Sequence, residues 1–194
     1  VPIMLSNVSE PLIGVVNTAV MGRLPEPHYI GAVAIGALIF SFLFWGFGFL
    51  RLSTGGLAAQ ATGAGDTEAL VLVLCRSVSL ALGIGLVLVA LGPWLGPLSV
   101  RLMGGSPDVM REASIYFGFR IWAAPAALFN FAILGWFVGQ GRASIAFAIQ
   151  LFLNLTNMLL SSVLVLWLGL ATSGVGIAVV IAEYAAAALG LFLV

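Results

Sequence analysis

The chain has 194 residues, of which 62% are hydrophobic and 7% charged, and its formal net charge is zero. A soluble domain carries roughly 25% charged residues, so this chain could not cover its surface in water and the bilayer is its natural solvent. All seven basic residues are Arg, with no excess over the acids, which argues against a nucleic-acid partner. Cys75 is the one cysteine, so neither a disulfide framework nor a thiolate metal site can be built within the chain.

A helix that crosses about 30 Å of hydrocarbon needs about 20 mostly apolar residues. Six runs qualify. The first covers 1–24 and is ended by Pro25-Glu26-Pro27-His28. It begins on an apolar Val1 rather than a start Met, and LGLFLV closes the sequence inside another apolar run, as expected of a piece of a longer chain. The first run carries Asn7, Glu10, Gly14 and Asn17, whose steps of 3, 4 and 3 place them on one helical face. The second run covers 29–52, and the Gly-rich polar stretch STGGLAAQATGAGDTE after it is predicted as a loop. The third covers 69–91 and is predicted to end at Gly92-Pro93. A long connection with Pro97, Arg101, Pro107, Asp108, Arg111 and Glu112 leads to the fourth, 113–138, where Pro125 predicts a kink.

The fifth run, 143–170, carries Gln150, Asn154, Asn157 and Ser161 at steps of 4, 3 and 4, again one face, while its other faces are Leu, Phe, Met and Val. Polar groups within a span cost free energy, so two such stripes are the strongest functional signal in the chain. They fit a wet cavity inside the bundle, and they equally fit interhelical hydrogen bonds that join helices at about 0.6 kcal/mol each. The sixth run, from residue 175 onward, holds Glu183 about nine residues in, too deep to reach an interface easily. A pair with an Arg and a protonatable relay both remain open for it. Arg76 and Arg120 lie within about two turns of a predicted span end, where snorkelling is the favoured reading. Trp45, Phe129 and Trp136 could line a binding pocket, but lipid-facing packing is the favoured reading for each. Arginines divide evenly between the two sides, so charge alone does not orient the chain. Enzyme signatures are lacking. The one His, His28, lies among prolines, and no zinc spacing, phosphate loop or activated nucleophile is present.

Several stretches resemble a known family. SNVSEPLIGVVNTAVMGRL at 6–24, FGFLRLSTGGLAAQATGAGD at 47–66, RIWAAPAALFNFAILGWFVGQGRA at 120–143 and GVGIAVVIAEY at 174–184 are similar to multidrug and toxin extrusion (MATE) transporters of the DinF branch. The resemblance covers nearly the whole chain in order. It implies an all-α, polytopic six-transmembrane-helix bundle, residues 1–194 forming the N-terminal lobe of a twelve-helix fold whose C-terminal lobe would be its partner. It also implies a bacterial plasma-membrane exporter of small organic, often cationic, compounds, with no cofactor and with H⁺ or Na⁺ as coupling ion. The N-terminus would be cytoplasmic, placing the 25–28 loop outside.

The resemblance maps the ion-coupling site onto Asn17, Asn157 and Ser161 and matches Glu183-Tyr184 to a family motif; spacing adds Glu10, so Asn17, Asn157, Ser161, Glu10 and Glu183 are the candidates for ion coupling and transport, and the polar stripes give Asn7, Gln150 and Asn154 as the cavity-lining residues. The pattern departs from the family at the coupling positions. The family's V-D-T-A reads Val16-Asn17-Thr18-Ala19 here, Ser161 stands where an Asp is usual, and Val179 replaces a Thr. Asn17 and Asn157 could offer Na⁺ only neutral oxygens, and neither Asn nor Ser titrates near pH 7. Glu10, two turns from Asn17 on the same face, is the expected replacement carboxylate, unless it lies near the membrane surface and pairs with an Arg. An alternative is a degenerate or flippase-like relative that has lost the usual coupling site.

Overall fold

The structure, a computed structural model, describes residues 20–22 and 26–194. Helices account for nearly all of these, and no strand occurs among them. They are α1 (His28–Trp45), α2 (Phe49–Ala64), α3 (Thr67–Met103), α4 (Pro107–Arg120), α5 (Ala124–Gly139), α6 (Ala143–Ser162) and α7 (Ala171–Phe192). A 3₁₀ turn, Ile121–Ala123, joins α4 to α5, and a π-helical segment, Val163–Trp167, continues α6. Joined where they run on, they make five stretches long and apolar enough to cross a membrane among the described residues: His28–Ala64, Thr67–Met103, Pro107–Gly139, Ala143–Trp167 and Ala171–Phe192. The predicted first span falls almost wholly outside the described residues. The expected all-α membrane bundle is therefore what is seen.

Two helices are longer than expected, for one physical reason. The stretch predicted as a loop after residue 52 is α2, and the chain turns only at Gly65 and Asp66. Gly65 takes the left-handed conformation at φ 68°, its N–H bonding back to Ala61 and Thr62. Asp66 then caps α3 by accepting from the Ala69 N–H at 2.8 Å. Gly and Thr lower helix propensity by a few tenths to about 1 kcal/mol each, which is why the stretch reads as a loop. In α2 the small residues instead allow close packing on α5. A Cβ added at Gly139 would lie 2.4 Å from the Gly55 carbonyl oxygen, and one at Gly135 2.4 Å from that of Arg51.

Similarly, α3 continues through Pro93 and Pro97 to Met103 instead of ending at residue 91. Each proline removes one backbone donor, and bundle contacts compensate. Gly92 and Gly96 seat Ile121 and Phe117, and at Gly85 an added Cβ would stand 2.4 Å from the Pro125 Cα. On the fourth span the helix starts six residues early, at Pro107. Ser106 accepts from the Val109 N–H, and Pro107 fits the first turn, where no donor is needed. The kink expected near Pro125 takes the form of the 3₁₀ turn just before it.

The Pro107–Gly139 column is the centre of the bundle. Its α5 packs against α2, α3, α6 and α7, and its α4 against α1 and α7. Helix α3 lies outermost, exposing Leu72, Leu80, Leu86, Trp94, Leu98 and Leu102. Apolar helices at the centre and at the rim read alike in sequence, because lipid and protein interior are both apolar. Trp45 is 81% exposed and fits its predicted lipid-facing place, but Phe129 and Trp136 do not: both are buried. The Trp136 indole N–H also donates to the Leu70 carbonyl at 3.0 Å, joining α5 to α3.

Candidate functional site

Helix α6 carries its polar residues on the buried side, as the 4-3-4 spacing requires. Asn154, Asn157 and Ser161 are buried and Gln150 is half-buried. The Gln150 side-chain amide donates to Asn154 Oδ1 at 3.2 Å, so part of the stripe bonds along its own helix. Asn157 is 1% exposed and Ser161 0%. Neither the Asn157 amide nor the Ser161 hydroxyl has a hydrogen-bond partner among the described residues. A buried polar group left unpaired costs about 1–3 kcal/mol, so two adjacent turns of α6 hold unsatisfied polar atoms inside an apolar bundle. Asn7, Glu10 and Asn17 lie outside the described residues. Val179 is buried on α7.

Glu183 is the thirteenth residue of α7, roughly 18 Å from the helix start and in the middle of the span. The Asn130 amide nitrogen donates to Glu183 Oε2 at 2.8 Å and to the Glu183 backbone carbonyl at 3.0 Å. This brings α5 to α7 at mid-span. Asn130 is 2% exposed, and its Oδ1 is buried without a partner. Asn130 was not singled out in the sequence. The available signal was a lone amide in the otherwise apolar helix APAALFNFAILGWFVG.

Arg120 turns inward instead of snorkelling. Its guanidinium carbon stands 4.7 Å above the Phe40 ring and 5.5 Å from the Tyr116 ring, and Nη1 donates to the Tyr116 hydroxyl. Stacking on two rings is how a planar cation can be kept in an apolar setting. Arg76, by contrast, is exposed on α3. A second polar link missed in the sequence joins α4 to α7: Thr172 donates to Glu112 Oε2 at 2.6 Å, and Arg111 Nη2 lies 3.3 Å from Glu112 Oε1. It lies in the first two turns of both helices, and acts as a fastening between them. Among the described residues no cluster of His, Cys, Asp and Glu could hold a metal ion.

Residues 2–163 match the MatE family. The chain is 40% identical over 193 residues to the DNA damage-inducible protein F of Escherichia coli strain K12, covering 100% of this chain and 42% of that protein. In fold it is similar to an outward-facing conformation of a multidrug resistance MATE family transporter of the MOP superfamily. That match has a TM-score of 0.89 at 21% identity over 98% of this chain and 42% of that chain. An inward-facing conformation of such a transporter matches with a TM-score of 0.79 at 20% identity, over 93% of this chain and 41% of that chain. The chain thus spans less than half the length of the proteins it matches.

Proposed function

This chain belongs to the MatE family, and from that premise we propose that it forms the N-terminal lobe of an exporter of small organic compounds. Members of the family are multi-pass membrane transporters and not enzymes, and they need no cofactor. The complete protein would carry a second six-helix lobe and work in the bacterial plasma membrane. Substrate would bind between the lobes and be released on the other side as they rock, driven by inward H⁺ or Na⁺. The resemblance to both outward-facing and inward-facing transporters supports alternating access. The 42% share of the E. coli relative supports the half-length assignment.

One observation carries the placement of the site: the unpartnered, buried side chains of Asn157 and Ser161 on α6. Their oxygens and amide are free to meet an ion, a water or a polar substrate group in a setting where each such bond counts for more than in water. Asn154 and Gln150 extend this wall along α6. A Na⁺ at Asn17 and Asn157 would find no carboxylate in either residue. We therefore assign the coupling charge to Glu183, the one acidic residue deep within a described span, with Glu10 as the second acid available to the lobe.

A second reading is favoured by Asn17, Ser161 and Val179, which stand where the family usually has Asp, Asp and Thr. Side chains without charge at these positions suit a relative that moves substrate without the usual coupling. The test is reconstitution of the full-length protein in liposomes and measurement of organic-cation dye export under separate Na⁺ and pH gradients. Export driven by the pH gradient and abolished by Glu183→Gln supports H⁺ coupling. Export driven only by Na⁺ moves the assignment to Asn17 and Asn157. Dye movement that ignores both gradients selects the uncoupled reading.

A further inference from the structure

We propose that the seam between α3 and α4 binds an anionic phospholipid, with its phosphate between Arg101 and Arg111 and an acyl chain in the groove that leads away from them. The inference goes beyond the exporter reading and does not depend on it. Val89, Pro93, Pro97 and Arg101, four apart in sequence, form one face of α3. Arg111, Ser114, Gly118 and Trp122, at steps of 3, 4 and 4, form one face of α4 and the 3₁₀ turn after it. A short turn at 104–106 makes the two helices antiparallel neighbours, so Arg101 comes opposite Arg111 and Val89 opposite Trp122. Two cavities lie along this seam and share Pro97 and Ser114. One, of about 320 Å³, has both arginines in its wall. The other, of about 300 Å³, continues past Pro93, Gly118 and Trp122 and has no charged residue in its wall.

The arginines stand at the depth of lipid phosphates. Helix α3 has 37 residues, about 55 Å of helix against about 30 Å of hydrocarbon, so its ends reach the headgroup layers. Arg101 is two residues from the end of α3, and Arg111 is in the second turn of α4. Both are exposed, and Arg101 has no hydrogen bond or ion pair among the described residues. The carboxylate beside Arg111 is Glu112, which lies 3.3 Å from Nη2 and accepts from Thr172 through its other oxygen. A guanidinium has five N–H donors, so most of those on Arg111 remain available to a phosphate. Two like charges on the walls of one cavity repel, and an anion between them turns that repulsion into attraction. In a zwitterionic lipid the ammonium would add a further positive charge beside the two guanidinium groups. A headgroup with net negative charge is therefore the one selected.

Below the arginines the groove suits a hydrocarbon chain. Ser114 turns its hydroxyl to the Met110 carbonyl of its own helix at 2.8 Å, which leaves the passage between the two cavities without a competing donor. A Cβ added at Gly118 would meet nothing within 4 Å, so this glycine keeps space open that no side chain of the protein fills. Trp122, 60% exposed, bounds the far end.

The experiment is native mass spectrometry of the full-length protein released from detergent micelles, with phosphatidylglycerol or phosphatidylethanolamine titrated in as the probe. Phosphatidylglycerol should be retained at concentrations where phosphatidylethanolamine is not. Arg101→Gln should weaken its retention about fivefold, and Arg111→Gln by a similar factor. Arg101 has no partner to lose, so its variant reads charge without a packing effect. Arg76→Gln, at an exposed arginine elsewhere on α3, should bind like the parent. Gly118→Leu should lose the retained lipid while both arginines remain, and leucine is the better helix former, so the helix itself is not weakened. A large excess of inorganic phosphate should leave the lipid in place, because the free anion has no chain to seat. Equal retention of the two lipids, undiminished binding in Arg101→Gln, or undiminished binding in Gly118→Leu overturns the proposal. Displacement by inorganic phosphate overturns it as well, by giving the arginines to a free anion.

Discussion

Replacing Gly139 with Ala should destabilise the lobe, although alanine is the better helix former. The added methyl would stand 2.4 Å from the Gly55 carbonyl oxygen, 2.8 Å from the Ala58 Cβ and 3.0 Å from the Ala59 nitrogen. Ordinary contact begins near 3.4 Å, so α2 and α5 must separate by about 1 Å at that point. None of the three obstacles is the far end of a flexible side chain. Overpacking of this kind costs about 1–3 kcal/mol. Because two of the three obstacles are main-chain atoms, the cost falls in the upper half of that range, and the gain of about 1 kcal/mol in helix propensity leaves a net loss of about 1–2 kcal/mol. Gly56→Ala, one residue along α2 with nothing within 4 Å of its added Cβ, is the matched control and should stabilise by up to about 1 kcal/mol. Gly135→Ala meets the Arg51 carbonyl at 2.4 Å, so it should resemble Gly139→Ala. The two together should cost less than their sum, since one separation accommodates both methyls. Equilibrium unfolding of the full-length variants in detergent micelles checks all four. A neutral or stabilising Gly139→Ala would refute main-chain contact as what limits this seam.

Thr172→Val should cost about 1.5–3 kcal/mol by leaving the buried Glu112 carboxylate without its 2.6 Å donor, read in the same unfolding assay. Trp136→Phe keeps the ring packing but drops the indole bond to Leu70, so a loss near 1 kcal/mol is expected, with faster hydrogen exchange at the start of α3. Ala171 opens α7 at φ 35°, a left-handed conformation costly for any residue with a Cβ. Ala171→Gly should therefore raise stability, by up to about 1 kcal/mol after the added chain entropy of glycine.

The polar stripe of α6 was legible because periodicity alone sets a face: the spacing of Gln150, Asn154, Asn157 and Ser161 predicts one side, and that side is buried. The bundle class was legible for an equally simple reason, the length of the apolar runs. Helix ends were not. Gly55, Gly92, Pro93 and Pro97 have the local chemistry of chain breaks, and packing by neighbouring spans overrides it. Phe129 and Trp136 could not be told from lipid-facing residues, since hydropathy is the same for both surroundings. Asn130 stayed hidden because its partner is 53 residues away, on a helix whose relation to α5 no local pattern encodes. The departures from the family pattern at Asn17 and Ser161 were plain in the sequence, whereas the Asn130–Glu183 hydrogen bond was visible only in the structure.

The α2–α5 seam has a mechanical consequence. Where carbonyl oxygens meet glycine Cα positions, no rotamer can be exchanged and no side chain can slide into a new slot. Such a joint has essentially one setting, unlike the bistable packing that lets helices ratchet past one another. Phe49–Ala64 and Ala124–Gly139 should therefore behave as a single strut, displaced together or not at all. Any bending within the lobe is then left to places where the helical pitch already changes: Gly46–Gly48 above the strut, the 3₁₀ turn at Ile121–Ala123, and the π segment at Val163–Trp167.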